Sequence, residues 1–118
     1  MRAHKGSIQL NVVQEDRISF SVLRNDKNEI RKIENISYEI NYKNRWEWIV
    51  RFDDHGGAGK LHAHFRISLN DQREVDSNIP IPSKFNKNEE LTWVCEEIKH
   101  NYIKYREELL KKEGVDLY

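Results

Sequence analysis

The chain has 118 residues, of which 20 are Lys or Arg and 20 are Asp or Glu, so its formal net charge is zero. Dedicated non-specific nucleic-acid binders usually carry a basic excess, and any contact with RNA or DNA must therefore come from a local patch. The length predicts one domain over residues 1–118. A single cysteine, Cys95, allows no internal disulfide, and no apolar run is long enough to span a bilayer. These features predict a cytoplasmic protein without a membrane partner.

Residues 1–7 carry no periodic apolar pattern and are predicted to form a loose N-terminus. Residues 8–68 alternate between apolar and polar side chains, as strands with one buried face do. Five such stretches have apolar positions beginning at Ile8, Ile18, Ile36, Trp46 and Leu61. In the fourth stretch Trp46, Trp48, Val50 and Phe52 are assigned to the buried face. Alternation of this kind is typical of antiparallel sheets.

Residues 69–85 are predicted to be a crossover loop, and residues 86–113 a helix. Apolar side chains recur there at three- and four-residue steps, which places them on one stripe. Asn86 followed by Glu89 forms a capping-box pattern at the start of that stretch. The predicted fold class is therefore α+β, with a curved antiparallel β-sheet of about five strands packed on one long C-terminal α-helix.

The segment from Arg51 to Arg66, RFDDHGGAGKLHAHFR, concentrates the residues that could carry chemistry. If the strands on either side of its glycine-rich loop form a hairpin, polar side chains of both strands share the face opposite the core. Those side chains are Arg51, Asp53, His62, His64 and Arg66, while His55 and Lys60 could lean over the same face from the loop.

Four interpretations fit this group of side chains. Two histidines, an orienting carboxylate and cations for a phosphate suit metal-independent acid–base chemistry on RNA. His62, His64 and Asp53 could instead hold a divalent transition metal. The glycines with Lys60 could bind an anion through backbone N–H groups. The group could also be a solvated sheet face with cross-strand pairs and no further role.

The run YEINYKNRWEWIVRFDDHGGAGKLHAHFR resembles the core of the TumE-like toxins of toxin–antitoxin pairs. The resemblance rests on the step Arg51-Phe52-Asp53, the histidine His55 in the loop, and the His-x-His strand of His62 and His64. It implies a sheet followed by a C-terminal helix, an action on RNA, and a helix-turn-helix antitoxin as partner.

Together these features predict a toxin-like protein that is a candidate metal-independent ribonuclease, an enzyme that needs no cofactor. His62, His64 and His55 would serve in acid–base catalysis, and Asp53 would orient an imidazole. Arg51, Lys60 and Arg66 would hold phosphate. The alternative is a non-catalytic small domain that binds a metal or a protein partner, and an exposed sheet edge could also make a homodimer.

Overall fold

A computed structural model describes residues 1–11, 15–54, 60–77, 79–82 and 84–112 of the chain. Within these ranges the chain forms six strands and one helix, which are β1 (Arg2–Gln9), β2 (Asp16–Arg24), β3 (Ile30–Tyr42), β4 (Arg45–Asp53), β5 (His62–Ser68), β6 (Asp71–Asp76) and α1 (Lys87–Lys112). Every pair of neighbouring strands is antiparallel, and the strand order follows the chain from β1 to β6. The predicted α+β class with an antiparallel sheet on a C-terminal helix is confirmed. No helix in the described ranges combines the length and apolarity needed to cross a bilayer.

Helix α1 packs against one face of β3, β4 and β5. Aromatic pairs mark this contact, with Tyr38 against Tyr102, Phe52 against Trp93 and Phe65 against Tyr105, at ring-centroid distances of 5.7, 6.4 and 5.5 Å. Edge-on packing at such distances is favourable for aromatic side chains. The opposite face of the sheet carries no helix from the described part of the chain, and we call it the open face.

The predicted capping box starts α1. The Glu89 N–H donates to Oδ1 of Asn86 at 2.8 Å, and the Asn86 N–H donates to Oε1 of Glu89 at 3.1 Å. These reciprocal bonds satisfy two N–H groups that a helix start would otherwise leave unpaired. The helix therefore begins at Lys87, within one residue of the predicted start, while the predicted end at residue 113 lies outside the described residues.

Strand β1 begins earlier than predicted, and strand β6 was not predicted. Residues 2–7, predicted to be a loose terminus, belong to β1, which reaches the first predicted strand stretch at Ile8, and residues 71–76 form β6 within the predicted crossover loop. Most residues of both strands are exposed, so the apolar alternation that reveals a half-buried strand is weak there. Strand β1 passes close to the side chain of Phe20 on β2 at Gly6, where an added Cβ would lie 2.6 Å from Cζ of Phe20.

A bulge in β4 changes which side chains face the helix. Tyr38 pairs with Val50, but the next residue of β3, Glu39, pairs with Trp48, so Ile49 is the extra residue. Such an insertion shifts the alternation by one position. Ile49 and Val50 both join the core, whereas Trp48 lies outside the core cluster. The prediction that Trp46 and Trp48 continue the core series of Val50 and Phe52 was therefore wrong.

A polar cluster joins the C-terminal half of α1 to the sheet. The carboxylate of Asp16 is fully buried and accepts hydrogen bonds from the Tyr38 hydroxyl and the Asn11 amide. Nη1 of Arg106 lies 3.4 Å from Oδ2 of Asp16. Burial, with the hydrogen bond to Asp16, raises the pKa of Tyr38 far above its usual value, so this hydroxyl stays a donor at neutral pH.

Candidate functional site

The hairpin of β4 and β5 assembles the polar residues that the sequence analysis singled out. In the antiparallel register Arg51 lies opposite His64, and Asp53 lies opposite His62. Directly paired residues of antiparallel strands have side chains on the same face, about 5 Å apart at Cβ. The predicted hairpin therefore brings Arg51, Asp53, His62 and His64 into one group.

This group lies on the open face. Ala63, between the two histidines, is 6% exposed and belongs to the core, and the neighbouring Phe65 contacts Tyr105 of the helix. Because strand side chains alternate, the imidazoles of His62 and His64 point away from α1. The ring centroids of the two histidines are 6.3 Å apart. Their environments differ, since His62 is exposed and the side chain of His64 is 20% exposed.

The carboxylates nearest to His64 come from β6. Nδ1 of His64 lies 3.3 Å from Oδ1 of Asp76 and 3.9 Å from Oε2 of Glu74. Asp76 is its direct cross-strand partner. A carboxylate beside one ring nitrogen holds the proton there and fixes the ring, so that the other nitrogen faces outward as an acceptor. The sequence analysis expected Asp53 to orient an imidazole, and the register partner of Asp53 is the other histidine, His62.

Arg51 is held in place by an aromatic ring and a carboxylate. Its guanidinium carbon lies 4.1 Å from the ring centroid of Trp48, and Nη1 donates to Oε1 of Glu74 at 3.0 Å. A guanidinium stacked on an indole is stabilised by the ring's electron density and presents its edge for hydrogen bonding. Nε of Arg51 is buried and has no hydrogen-bond partner in the described residues.

Arg66 has a different role from Arg51. It is 3% exposed, and Nη1 forms an ion pair of 2.7 Å with Oε2 of Glu47. The same guanidinium donates to the carbonyl oxygens of Trp48, Ser68 and Leu69. These four acceptors take four of its five N–H donors, and its side chain is buried, so we leave Arg66 out of the predicted phosphate-binding set. Arg66 instead ties the bulge of β4 to the turn between β5 and β6.

This difference between the two arginines predicts opposite outcomes for the same conservative change. We expect Arg66→Lys to lower the free energy of unfolding by about 1–3 kcal/mol, because an ammonium cannot reach acceptors arranged for a planar guanidinium. Arg51→Lys removes a stacked, partly exposed group and should change stability by less than about 0.5 kcal/mol. Urea unfolding of both variants measures this contrast, and equal losses would contradict the assignment.

The remaining predicted site residues lie at or beyond the end of the hairpin. Lys60 is exposed just before β5, where it can add positive charge. His55 and the glycines of the loop lie outside the described residues. Among the residues that are described, no group of three or more His, Cys, Asp or Glu side chains is arranged to hold a metal ion. The alternative ligand set of His62, His64 and Asp53 is therefore not assembled as a metal site.

Sequence reasoning missed three residues of the site, Trp48, Glu74 and Asp76. Trp48 was missed because the bulge cannot be read from the alternation, and the two acidic residues because β6 was predicted to be loop. Asn70-Asp71, directly after a strand pattern, is turn chemistry that would have indicated a hairpin into β6.

Comparison with known proteins identifies a family but no characterised relative. A family model described as Domain of unknown function (DUF7718) matches residues 3–115. No curated protein and no solved structure matches the chain. The geometry of the open face is therefore the basis for assigning a function.

Proposed function

The chain belongs to the DUF7718 family, a domain of unknown function, and from the chemistry of its open face we propose that it is a metal-independent ribonuclease acting on single-stranded RNA. His64 is the general base and His62 the general acid. Arg51 holds the phosphate, with Lys60 adding charge at the rim. Asp76 and Glu74 position the base.

The observation that carries this proposal is the pair of imidazoles on the open face, with centroids 6.3 Å apart and a stacked guanidinium beside them. Acid–base catalysis requires each catalytic nitrogen to come within about 2.6–3.2 Å of the oxygen it serves. Two rings at this separation can flank a single phosphodiester, one on the attacking side and one on the leaving side. Titration near neutral pH is the property that suits histidine to both roles.

The reaction is an internal transesterification of the RNA phosphodiester. His64 takes the proton from a ribose 2′-hydroxyl, whose oxygen attacks the adjacent phosphorus. The bond from phosphorus to the 5′-oxygen breaks, and His62 gives its proton to that oxygen. The products are a 2′,3′-cyclic phosphate and a 5′-hydroxyl, so the atoms and protons balance without a metal or cofactor.

Arg51 supplies the charge stabilisation that this transition state needs. The phosphorane gains negative charge on its non-bridging oxygens, and a pre-positioned cation there is worth more than a mobile one. The indole of Trp48 and the carboxylate of Glu74 fix the guanidinium before substrate arrives. The side chain of Arg51 remains 35% exposed, so its edge is accessible from solvent.

The resemblance to TumE-like toxins gives the proposal a biological setting. In that setting RNA is the substrate and a helix-turn-helix antitoxin is the partner. The sheet edges formed by β1 and β6 have no further strand beside them in the described part of the chain, and pairing of one edge with a second copy would make a homodimer.

The direct test is incubation of purified protein with single-stranded RNA in the presence and absence of EDTA. We expect cleavage that EDTA does not affect, with 2′,3′-cyclic phosphate and 5′-hydroxyl ends on the fragments. A DNA strand of the same sequence, which lacks the 2′-hydroxyl, should stay intact. Cleavage that EDTA abolishes, or that a His62→Ala/His64→Ala double variant retains, would reject the proposed chemistry.

A further inference from the structure

A second guanidinium–indole stack lies on the open face, outside the group formed by the histidines and Arg51. The guanidinium carbon of Arg17 is 3.9 Å from the ring centroid of Trp46. Nε of Arg17 donates to Oε1 of Glu39 at 2.7 Å. Both stacks therefore follow the same plan, in which an indole supports the plane of the arginine and a carboxylate holds one edge.

Arg17 keeps donors that the fold does not use. Its guanidinium donates from Nε to Glu39 and stacks on Trp46, and neither Nη atom has a hydrogen-bond partner in the described residues. The side chain is 25% exposed. A guanidinium with two free Nη groups and a fixed plane can bind a phosphate by its edge and stack a nucleobase on its outer surface.

The spacing between the two guanidinium–indole stacks suits a single extended strand of nucleic acid. Trp46 and Trp48 are two residues apart on β4 and on the same face, which separates them by about 6.6 Å along the strand. In the sheet register Arg17 lies opposite Glu39, and Glu39 lies opposite Trp48. Arg51 is one cross-strand row further along, in register with Ser37. The two guanidiniums thus lie on the same face of the sheet, on strands separated by β3.

We propose that Arg17, supported by Trp46, is a subsite for a nucleotide that flanks the scissile phosphate held at Arg51 and His64. This inference rests on the proposed function and gives it a substrate class: a single strand of several nucleotides rather than a mononucleotide or a duplex. In a duplex the bases are stacked on each other and cannot spread over the sheet. Glu39 limits the subsite, because its carboxylate repels a phosphate that approaches Arg17.

The test measures binding separately from cleavage. The probe is a fluorescein-labelled 2′-O-methyl oligouridylate, which lacks the attacking hydroxyl and stays intact with the wild-type protein. Fluorescence anisotropy gives Kd for a probe of six nucleotides (the hexamer) and a probe of two nucleotides (the dimer) at several salt concentrations. The variants are Arg17→Gln and Glu39→Gln, with Arg31→Gln as the matched control. Arg31 is also an arginine of the sheet, but it is exposed and lies beside the start of the helix. Thermal unfolding checks that each variant is folded.

For the hexamer we expect Arg17→Gln to raise Kd about 5- to 10-fold and to lower the slope of log Kd against log salt by about 0.7, the value for one lost phosphate contact on a single strand. Glu39→Gln should lower Kd, because a repulsive charge is removed. Arg31→Gln should change Kd less than 2-fold (about the limit expected of a distant charge), and Kd for the dimer should be the same in all variants.

Equal effects of Arg17→Gln and Arg31→Gln would overturn the subsite, as would an increase in Kd on Glu39→Gln. The outcome for the chemistry is separate. Loss of hexamer affinity in Arg17→Gln together with no cleavage by the wild type would retain the subsite and reject the ribonuclease. Cleavage by the wild type with an unchanged Kd in Arg17→Gln would reject the subsite alone.

Discussion

Replacing His64 with alanine is expected to reduce the rate of RNA cleavage by a factor of about 10²–10⁴, the usual contribution of a positioned acid or base. We propose this role for His64 because its Nδ1 faces Asp76 and Glu74 at 3.3 and 3.9 Å, which leaves Nε2 for the substrate. The measurement is the single-turnover rate with a defined oligonucleotide, in which product release does not contribute.

Two comparisons make this result specific. Asp76→Asn keeps a polar side chain beside Nδ1 but removes the charge, and we expect a smaller loss of about 10-fold. The dependence of the rate on pH should be bell-shaped in the wild type, since one imidazole must be neutral while the other is protonated. In His64→Ala the side of the pH–rate curve that reports the general base should disappear. An unchanged profile, or a rate within 2-fold of the wild type by the same assay, would contradict the assignment (about 0.4 kcal/mol of barrier).

Replacing Asp16 with alanine is expected to lower the free energy of unfolding by about 3–5 kcal/mol. The carboxylate is fully buried, and its removal leaves the hydroxyl of Tyr38, the amide of Asn11 and one edge of Arg106 without their acceptor. A buried donor that loses its partner costs about 1–3 kcal/mol, and bonds to a charged acceptor are the stronger ones. Urea unfolding followed by circular dichroism measures the change.

Asp76→Ala is the matched control, because it removes an acidic side chain that is 96% exposed. We expect it to change stability by less than about 0.5 kcal/mol. Tyr38→Phe keeps the ring and removes the hydroxyl, so it should have an intermediate effect. If Asp16→Ala and Asp76→Ala were equally stable, the buried cluster would not be holding the helix to the sheet.

The architecture was predictable from the sequence wherever one face of an element is buried. Ile18, Val22, Ile36 and Phe52 stand at alternating strand positions because they face the core, and all four are fully buried. The capping box at Asn86 and Glu89 located the start of α1 because its hydrogen bonds are local and form in the folded chain as the sequence predicts. The strand alternation also placed Arg51 and His64 on one face, and the structure adds that the two residues pair directly.

The remaining features depend on contacts that no local pattern records. Strand β6 is held by its pairing with β5 and is largely exposed, so its sequence contains no buried stripe. Arg66 alternates with the histidines as a surface residue would, yet neighbouring carbonyl groups and Glu47 enclose it. The carboxylates beside His64 come from β6, which was not predicted as a strand.

The bulge at Ile49 places the indole of Trp48 on the open face. If the same residues of β4 were paired without a bulge, Trp48 would alternate with Val50 and face the helix, and the platform under Arg51 would be lost although every residue of the site was still encoded. Removal of Ile49 would instead leave a regular ladder in which Val50 still pairs with Tyr38 and Trp48 with Glu39. The site therefore depends on the pairing offset between β3 and β4 as well as on the residues that form it.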